Sequence, residues 1–186
     1  MLVDNQIKNA VVSGDIVINP FVERQINPNS YDVTLGCEFY SYCSSEFGHV
    51  PVIDPRSNRE YGYKRIENQV ILYPNEFILG TTREYFTLCN GYAAVLEGKS
   101  SFARLGLAVH ITGGFIDTGF AGNITLEIKN ENDRCAIILR EGDLIGQLVF
   151  FKITKATVPY DMKPDSKYKN QEGVTPSKYY RNDWYD

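Results

Sequence analysis

The chain has 186 residues, 43% of them hydrophobic, which suits one domain with a sizeable core. Its 19 basic and 23 acidic residues leave a net charge of -4, which argues against a general binder of nucleic acid or anionic membrane and makes any phosphate site a local one. No apolar run approaches a membrane span, and Met1-Leu2-Val3-Asp4 lacks the basic and apolar parts of a secretory signal, so a cytoplasmic protein is expected.

In chain order, Asp4 is placed to cap a helix running to about residue 13, with Ile7, Ala10 and Val11 on one face and Gly14 as its stop. Strands are predicted at residues 16–18, ended by Asn19-Pro20, then at 31–35 and 38–42. Residues 54–63, with Pro55, Asn58 and Gly62, read as an exposed loop. Short strands resume at 69–73, 76–81 and 85–88, a spacing typical of an all-β sandwich or barrel. Further on come strands at 123–129 and 136–139, a turn at 140–143, and a strongly apolar strand at 144–153 that is expected to be central. From Pro159 the aliphatic content drops, so residues 159–186 cannot build a core of their own. Composition alone allows a disordered tail. Tyr160, Tyr168, Tyr179, Tyr180 and Trp184 argue for an ordered one.

The chemistry gathers between Glu97 and Asn130. Gly98-Lys99-Ser100-Ser101 leads into a short helical run, 102–105, stopped by Gly106, with Ser100 as its natural cap. Unpaired N–H groups at that helix start, with Lys99 beside them, suggest an anion site, and Arg104 lies one helical turn from Ser100. Downstream, alternation sends Ile124, Leu126 and Ile128 to one face and Thr125, Glu127 and Lys129 to the other. Alone, that is a half-buried strand with a wet face. In company with a hydroxyl, a guanidinium, an ammonium and the bend glycines Gly113, Gly114, Gly119 and Gly122, it reads as one wall of a site.

Gly98-Lys99-Ser100-Ser101, Arg104-Leu105-Gly106-Leu107, the turn Ile116-Asp117-Thr118-Gly119-Phe120-Ala121-Gly122 and Leu126-Glu127 together resemble the core of the dCTP deaminase family, within the deaminase and trimeric dUTPase superfamily. Asp4-Asn5-Gln6-Ile7, Ile18-Asn19-Pro20 and Asn29-Ser30-Tyr31-Asp32-Val33-Thr34-Leu35-Gly36 are similar to its opening. Residues 166–173 and Thr175-Pro176-Ser177 are similar to its close, so the resemblance spans nearly the whole chain. It implies a mainly β, distorted jelly-roll-like barrel or sandwich over residues 1–158, with a short helix at the N-terminus and another after the GKSS turn. It also implies a lid at 159–186 and a homotrimer whose sites are shared between subunits.

The activity implied is hydrolysis of dCTP to dUTP and ammonia, serving deoxyuridine and thymidine nucleotide supply. Adding water at C4, protonating N3 and expelling ammonia needs a group that takes and returns a proton, and a carboxylate does this where burial favours its neutral form. Glu127 is the expected general base and shuttle, with Ser100 and the Gly113 carbonyl orienting water and Arg104 polarising the reacting centre. The resemblance further assigns Lys99, Ser101 and Lys167 to the triphosphate with its magnesium ion, and Asp117 to the deoxyribose. Thr125 and Leu126 fall to the base through their backbone, and Tyr160 and Gln171 become ligand contacts. dCTP, dUTP and dTTP are the ligands implied, and a family histidine resembling His110 lies near a loop that responds to dTTP.

Zinc is not expected. Nucleobase deaminases that use it carry H-x-E and P-C-x-x-C patterns. Here His49 precedes Val50-Pro51, His110 precedes Ile111-Thr112, and Cys37, Cys43, Cys89 and Cys135 form no C-x-x-C pair. A P-loop is also set aside, since Ala93 stands where that motif needs glycine. Three alternatives remain. Thr112-Gly113-Gly114-Phe115-Ile116-Asp117 and Lys99 resemble the bifunctional members that also cleave the triphosphate to dUMP and pyrophosphate. A plain dUTPase would carry an apolar residue in place of Glu127 and a Gly-rich Phe motif at its end. A non-catalytic β-sandwich would use the 13 Tyr and 10 Phe as a binding surface.

Overall fold

The chain opens with helix α1 (Asp4–Val12), whose apolar spacing buries Ile7 and Ala10 and packs Val11 against the core. Asp4 does not cap it. In the computed structural model, which describes residues 1–43 and 51–182, Val3 is the N-cap residue and donates its N–H to Gln6 Oε1 at 3.1 Å. Asp4 is instead the first helical residue, where its negative charge still suits the helix dipole. His49, Val50 and Trp184 lie outside the described residues.

Strands follow as β1 (Ile16–Asn19), β2 (Tyr31–Thr34), β3 (Glu38–Tyr42), β4 (Gly62–Ile66), β5 (Gln69–Leu72) and β6 (Phe77–Leu88). Then come β7 (Tyr92–Gly98), the short helix α2 (Ser100–Ala103), β8 (Leu107–Ala108), β9 (Phe115–Ile116), β10 (Ala121–Asn130), β11 (Ile137–Arg140) and β12 (Leu144–Lys152). Every strand pair is antiparallel. The largest sheet runs β4-β3-β6-β10-β8 with β1 also on β6, the second runs β2-β12-β7-β9, and β5 pairs with β11. This is the mainly β architecture with two small helices that the strand spacing implies.

One core joins the sheets. Phe86 and Leu88 of β6, Leu126 and Ile128 of β10, Leu148 and Phe150 of β12 and Ile7 of α1 all belong to a single buried cluster. Truncating a fully buried ring such as Phe150 to alanine would cost about 3–5 kcal/mol. The apolar strand expected to be central is so, held between β2 and β7.

Two predicted strands, 76–81 and 85–88, are one continuous β6. Glu84, between the two predicted strands, is buried, its carboxylate accepting from the Thr34 hydroxyl at 2.6 Å and the Thr34 N–H at 3.0 Å. The predicted loop 54–63 ends earlier, because Gly62–Ile66 pairs with β3. The described part of the tail is packed on the sheets. Val174 is fully buried beside Tyr40 and Leu79, and Gln171 forms a parallel bridge to Gly122.

Candidate functional site

The alternation of β10 points Ile124, Leu126 and Ile128 into the core and leaves Thr125 and Glu127 half-buried on the other face. There they line a cleft of about 460 Å³ together with Gly113, Asp117, Phe120, Tyr160 and Gln171. The segment after β8 wraps the acid. Glu127 donates its N–H to the Val109 carbonyl at 3.0 Å, and its Oε2 accepts the Ile111 N–H at 2.8 Å. A Cβ on Gly113 would stand 2.7 Å from Oε1, so glycine lets the loop pass this close without displacing the carboxylate. The carboxylate is therefore held at fixed orientation on the cleft wall, as proton transfer to a bound ring requires.

The tail forms the opposite side. Tyr160 donates its N–H to the Thr118 carbonyl at 2.8 Å, tilts over Phe120 with ring centroids 6.2 Å apart, and accepts the Tyr168 N–H on its hydroxyl at 2.9 Å. Burial pushes the Tyr160 hydroxyl pKa up, with Tyr168 and Asp117 adding to the effect, so it stays a neutral donor. Gln171 donates Nε2 to the Asn123 carbonyl at 2.6 Å. Its Oε1 is buried without a hydrogen-bond partner among the described residues, a costly state that a ligand donor would relieve. Thr175 donates its N–H to the Thr125 hydroxyl at 3.2 Å, and Val174 donates to Glu38 Oε2 at 3.3 Å. Lys178 sits 5.5 Å over the Tyr168 ring, its ammonium pKa lowered first by burial and then by Arg181 and Lys64.

Sequence reasoning missed Tyr42, which also lines the cleft and stacks on Phe77 at 5.8 Å. Its hydroxyl pKa is pushed up by burial first and by Tyr40, Glu127 and Tyr168 after that. Phe77, Leu79 and Phe115 were missed as well. Their signal is the apolar lining that a flat ring needs, which no single-strand pattern announces.

Other expected residues stand apart. Ser100, Ser101 and Arg104 are exposed on α2 and Lys167 is half-buried in the tail, and none of them borders the cleft. Ser100 is not the cap: Lys99 is the N-cap residue, and Ser100 begins a helix of four residues. One turn aligns too few peptides for the dipole argument to carry an anion site. The Lys99 ammonium meets the Asp32 carboxylate at 2.5 Å, and the Lys167 carbonyl accepts from Lys178 Nζ at 3.0 Å. Leu126 is fully buried, its backbone in register with Gly80 of β6. His110 lies off the cleft with Nε2 3.8 Å from Glu97. Among the described residues no group of three or more His, Cys, Asp or Glu side chains is placed to hold a metal ion, and no helix is long and apolar enough to cross a membrane.

Fold and cleft together define a mainly β protein with an apolar and aromatic cleft that holds one fixed carboxylate. The 2'-deoxycytidine 5'-triphosphate deaminase of Agrobacterium tumefaciens shares the fold, with a TM-score of 0.62 at 20% identity over 80% of this chain and 47% of that one, so this chain spans about half its length. The dCTP deaminase-like family matches residues 1–153. The chain is 43% identical over 185 residues to the dUMP-forming dCTP deaminase of Methanosphaerula palustris, covering 98% of this chain and 97% of that protein. It is 40% identical over 188 residues to the protein of the same name from Mycobacterium avium, with 98% and 97% covered. The chain belongs to the dCTP deaminase family.

Proposed function

We propose that this protein hydrolyses dCTP in two steps, releasing ammonia and then pyrophosphate, and ends at dUMP. The expectation of dUTP as the end product gives way here, because relatives about 40% identical along the whole chain carry the dUMP-forming name. The bend from Thr112 to Asp117 supports the same reading.

The observation that carries the reading is the Glu127 carboxylate, fixed by the Ile111 N–H on the wall of a cleft that an apolar and aromatic lining shapes for a pyrimidine. Water adds to C4 as Glu127 takes its proton. That proton passes to N3, and a second leaves with the 4-amino group as ammonia. The Gly113 carbonyl orients the water, helped by Ser100, while Arg104 polarises the centre. Gln171 Oε1, buried and unpaired among the described residues, supplies an acceptor for a ligand N–H. A second water, activated with the help of Asp117, then attacks the α-phosphate and the α–β bond breaks.

Magnesium enters as part of the substrate, on the triphosphate, and dUTP and dTTP fit the same pocket as dCTP. Since Ser100 and Arg104 lie outside the cleft of their own chain, they act in this reading at the site of a neighbouring subunit in a homotrimer. Residues 159–186 act as the lid of the cleft. Incubating the protein with dCTP and magnesium and following ammonia, dUTP, dUMP and pyrophosphate by chromatography tests it. Ammonia with dUMP and pyrophosphate in equal amounts is expected. Accumulating dUTP would make it a strict deaminase, and no ammonia would end the proposal.

A further inference from the structure

Two stretches far apart in sequence, Asn29–Gly36 and Gly98–Arg104, are tied together across one strand. Because β12 runs between β2 and β7, its Gln147 lies in register with Asp32 on one side and Glu97 on the other. Lys99 leaves the end of β7 and reaches back to β2, where Nζ donates to Asp32 Oδ2 at 2.5 Å. Asp32 is itself fixed. It is buried, its Oδ1 accepts from Asn27 Nδ2 at 2.7 Å, and its backbone carbonyl accepts from Gln25 Nε2 at 2.7 Å. A parallel brace holds the residue before Lys99: the Ser30 hydroxyl donates to Gln147 Oε1 at 2.9 Å, and Gln147 Nε2 donates to the Gly98 carbonyl at 3.3 Å.

A lysine ammonium carries three N–H donors, and Asp32 takes one. Among the described residues Lys99 Nζ has no second acceptor, and a quarter of its side chain (25%) remains exposed. Lysine is a flexible four-carbon stem, so a ligand that had to order it would lose affinity in doing so. We infer that Asp32 is a positioning residue: it holds the Lys99 ammonium ready, with two donors free, for the phosphate groups of the nucleotide. The inference rests on the proposed reading that the Gly98–Arg104 turn meets the triphosphate.

The charge of Asp32 gives the test its sign. A carboxylate near a phosphate repels it, so if Asp32 did nothing for Lys99 its removal would tighten phosphate binding. Calorimetric titration of the full chain with tripolyphosphate, with dCTP and with 2'-deoxycytidine, magnesium present, separates the two. Asp32→Asn should weaken tripolyphosphate and dCTP binding about tenfold, the scale of one immobilised side chain. The double variant with Lys99→Met should bind no worse than Lys99→Met alone, because Asp32 acts through Lys99. Deoxycytidine affinity should stay within about twofold in every variant, which a general collapse of the site would not allow.

Unchanged or tighter phosphate binding in Asp32→Asn overturns the inference, and so do losses that add up in the double variant. If Asp32→Asn does not fold, Asn27→Ala, which removes the donor to Asp32 Oδ1 together with its longer bond to the Gln25 carbonyl at 3.4 Å, should weaken tripolyphosphate binding several-fold, and no change there overturns it. A wild type that binds tripolyphosphate but releases no ammonia from dCTP overturns the functional reading alone. A wild type without affinity for tripolyphosphate overturns this inference alone.

Discussion

The Glu127 cleft and the Gly98–Arg104 turn, which the proposed function joins in one site, differ in how they are built. The Glu127 wall is enclosed within one chain: a loop N–H holds the acid, Gly113 makes room for it, and the tail lies across from it, tied to β10 at Asn123 and Thr125. The Gly98–Arg104 turn is braced from behind by Asp32 and Gln147, yet presents Ser100, Ser101 and Arg104 to solvent, away from the cleft. One part is finished by its own chain, and the other is rigid but has nothing to act upon. That contrast is what a site completed between copies of the chain would look like from one subunit.

The largest effects break the comparison at the acid. Glu127→Gln keeps the shape of the side chain and should lower kcat for ammonia release by about 10²–10⁴-fold, while nucleotide affinity changes little. Normal turnover in that variant would remove Glu127 from its role. Arg104→Ala should also be nearly inactive. Co-expressed at equal amounts, the two variants should regain about a quarter of wild-type activity if, as proposed, the chain forms trimers whose sites are shared between subunits. No recovery on mixing would put the whole site within one chain.

Smaller effects sharpen it. In Gly113→Ala the new methyl would meet the Glu127 carboxylate at 2.7 Å and displace one or the other. A shift on this scale should cost about 10²-fold in kcat, with the melting temperature nearly unchanged. Truncation after Tyr160 removes Tyr168, Gln171, Thr175 and Ser177 from the cleft and uncovers the site of Val174. It should raise KM for dCTP about tenfold, and an unchanged KM would reduce the tail to a structural strap.

Much of this was legible in the sequence where one strand carries its own signal. The alternation of residues 123–129 marked both the core face of β10 and the exposure of Thr125 and Glu127 to the cleft. Signals failed where the partner lies far along the chain. The predicted strands 76–81 and 85–88 left residues 82–84 out, but Thr34, 50 residues away, satisfies the buried Glu84 carboxylate there and the strand runs on. Lys99 looked like a free phosphate ligand, yet its partner Asp32 is 67 residues back. β7 was missed because Tyr92-Ala93-Ala94 is buried on successive residues and shows no alternation, while β8 and β9, of two residues each, are too short for any periodicity. Composition left the order of the tail open, because it is held by backbone N–H groups donated to Asn123, Thr125 and Glu38, with Val174 fully buried.

The smallest expected effect tests whether the frame behind the turn can be loosened apart from the acid wall. Tyr31 adjoins Asp32 on β2, is fully buried, stacks on Phe21 at 5.8 Å and accepts the Val22 N–H on its hydroxyl at 3.0 Å. Burial is the main cause that pushes its pKa from 10.0 up to about 12, with the carboxylates of Glu84 and Asp32 adding to it and the Val22 hydrogen bond opposing it. Below pH 10 both folded and unfolded chains keep the proton, and the stabilisation is complete. Between about pH 10 and 12 the unfolded chain releases it while the folded chain does not, so stability falls as pH rises through that window. Urea midpoints measured from pH 8 to 12 should decline over it, less steeply in Tyr31→Phe, which has no proton there to lose. Equal declines in the two proteins would assign the alkaline loss to the other tyrosines whose pKa burial raises, Tyr40, Tyr42, Tyr92 and Tyr160. Of these, Tyr42 and Tyr160 line the cleft, so their share of the loss would belong to the acid wall and not to the frame behind the turn.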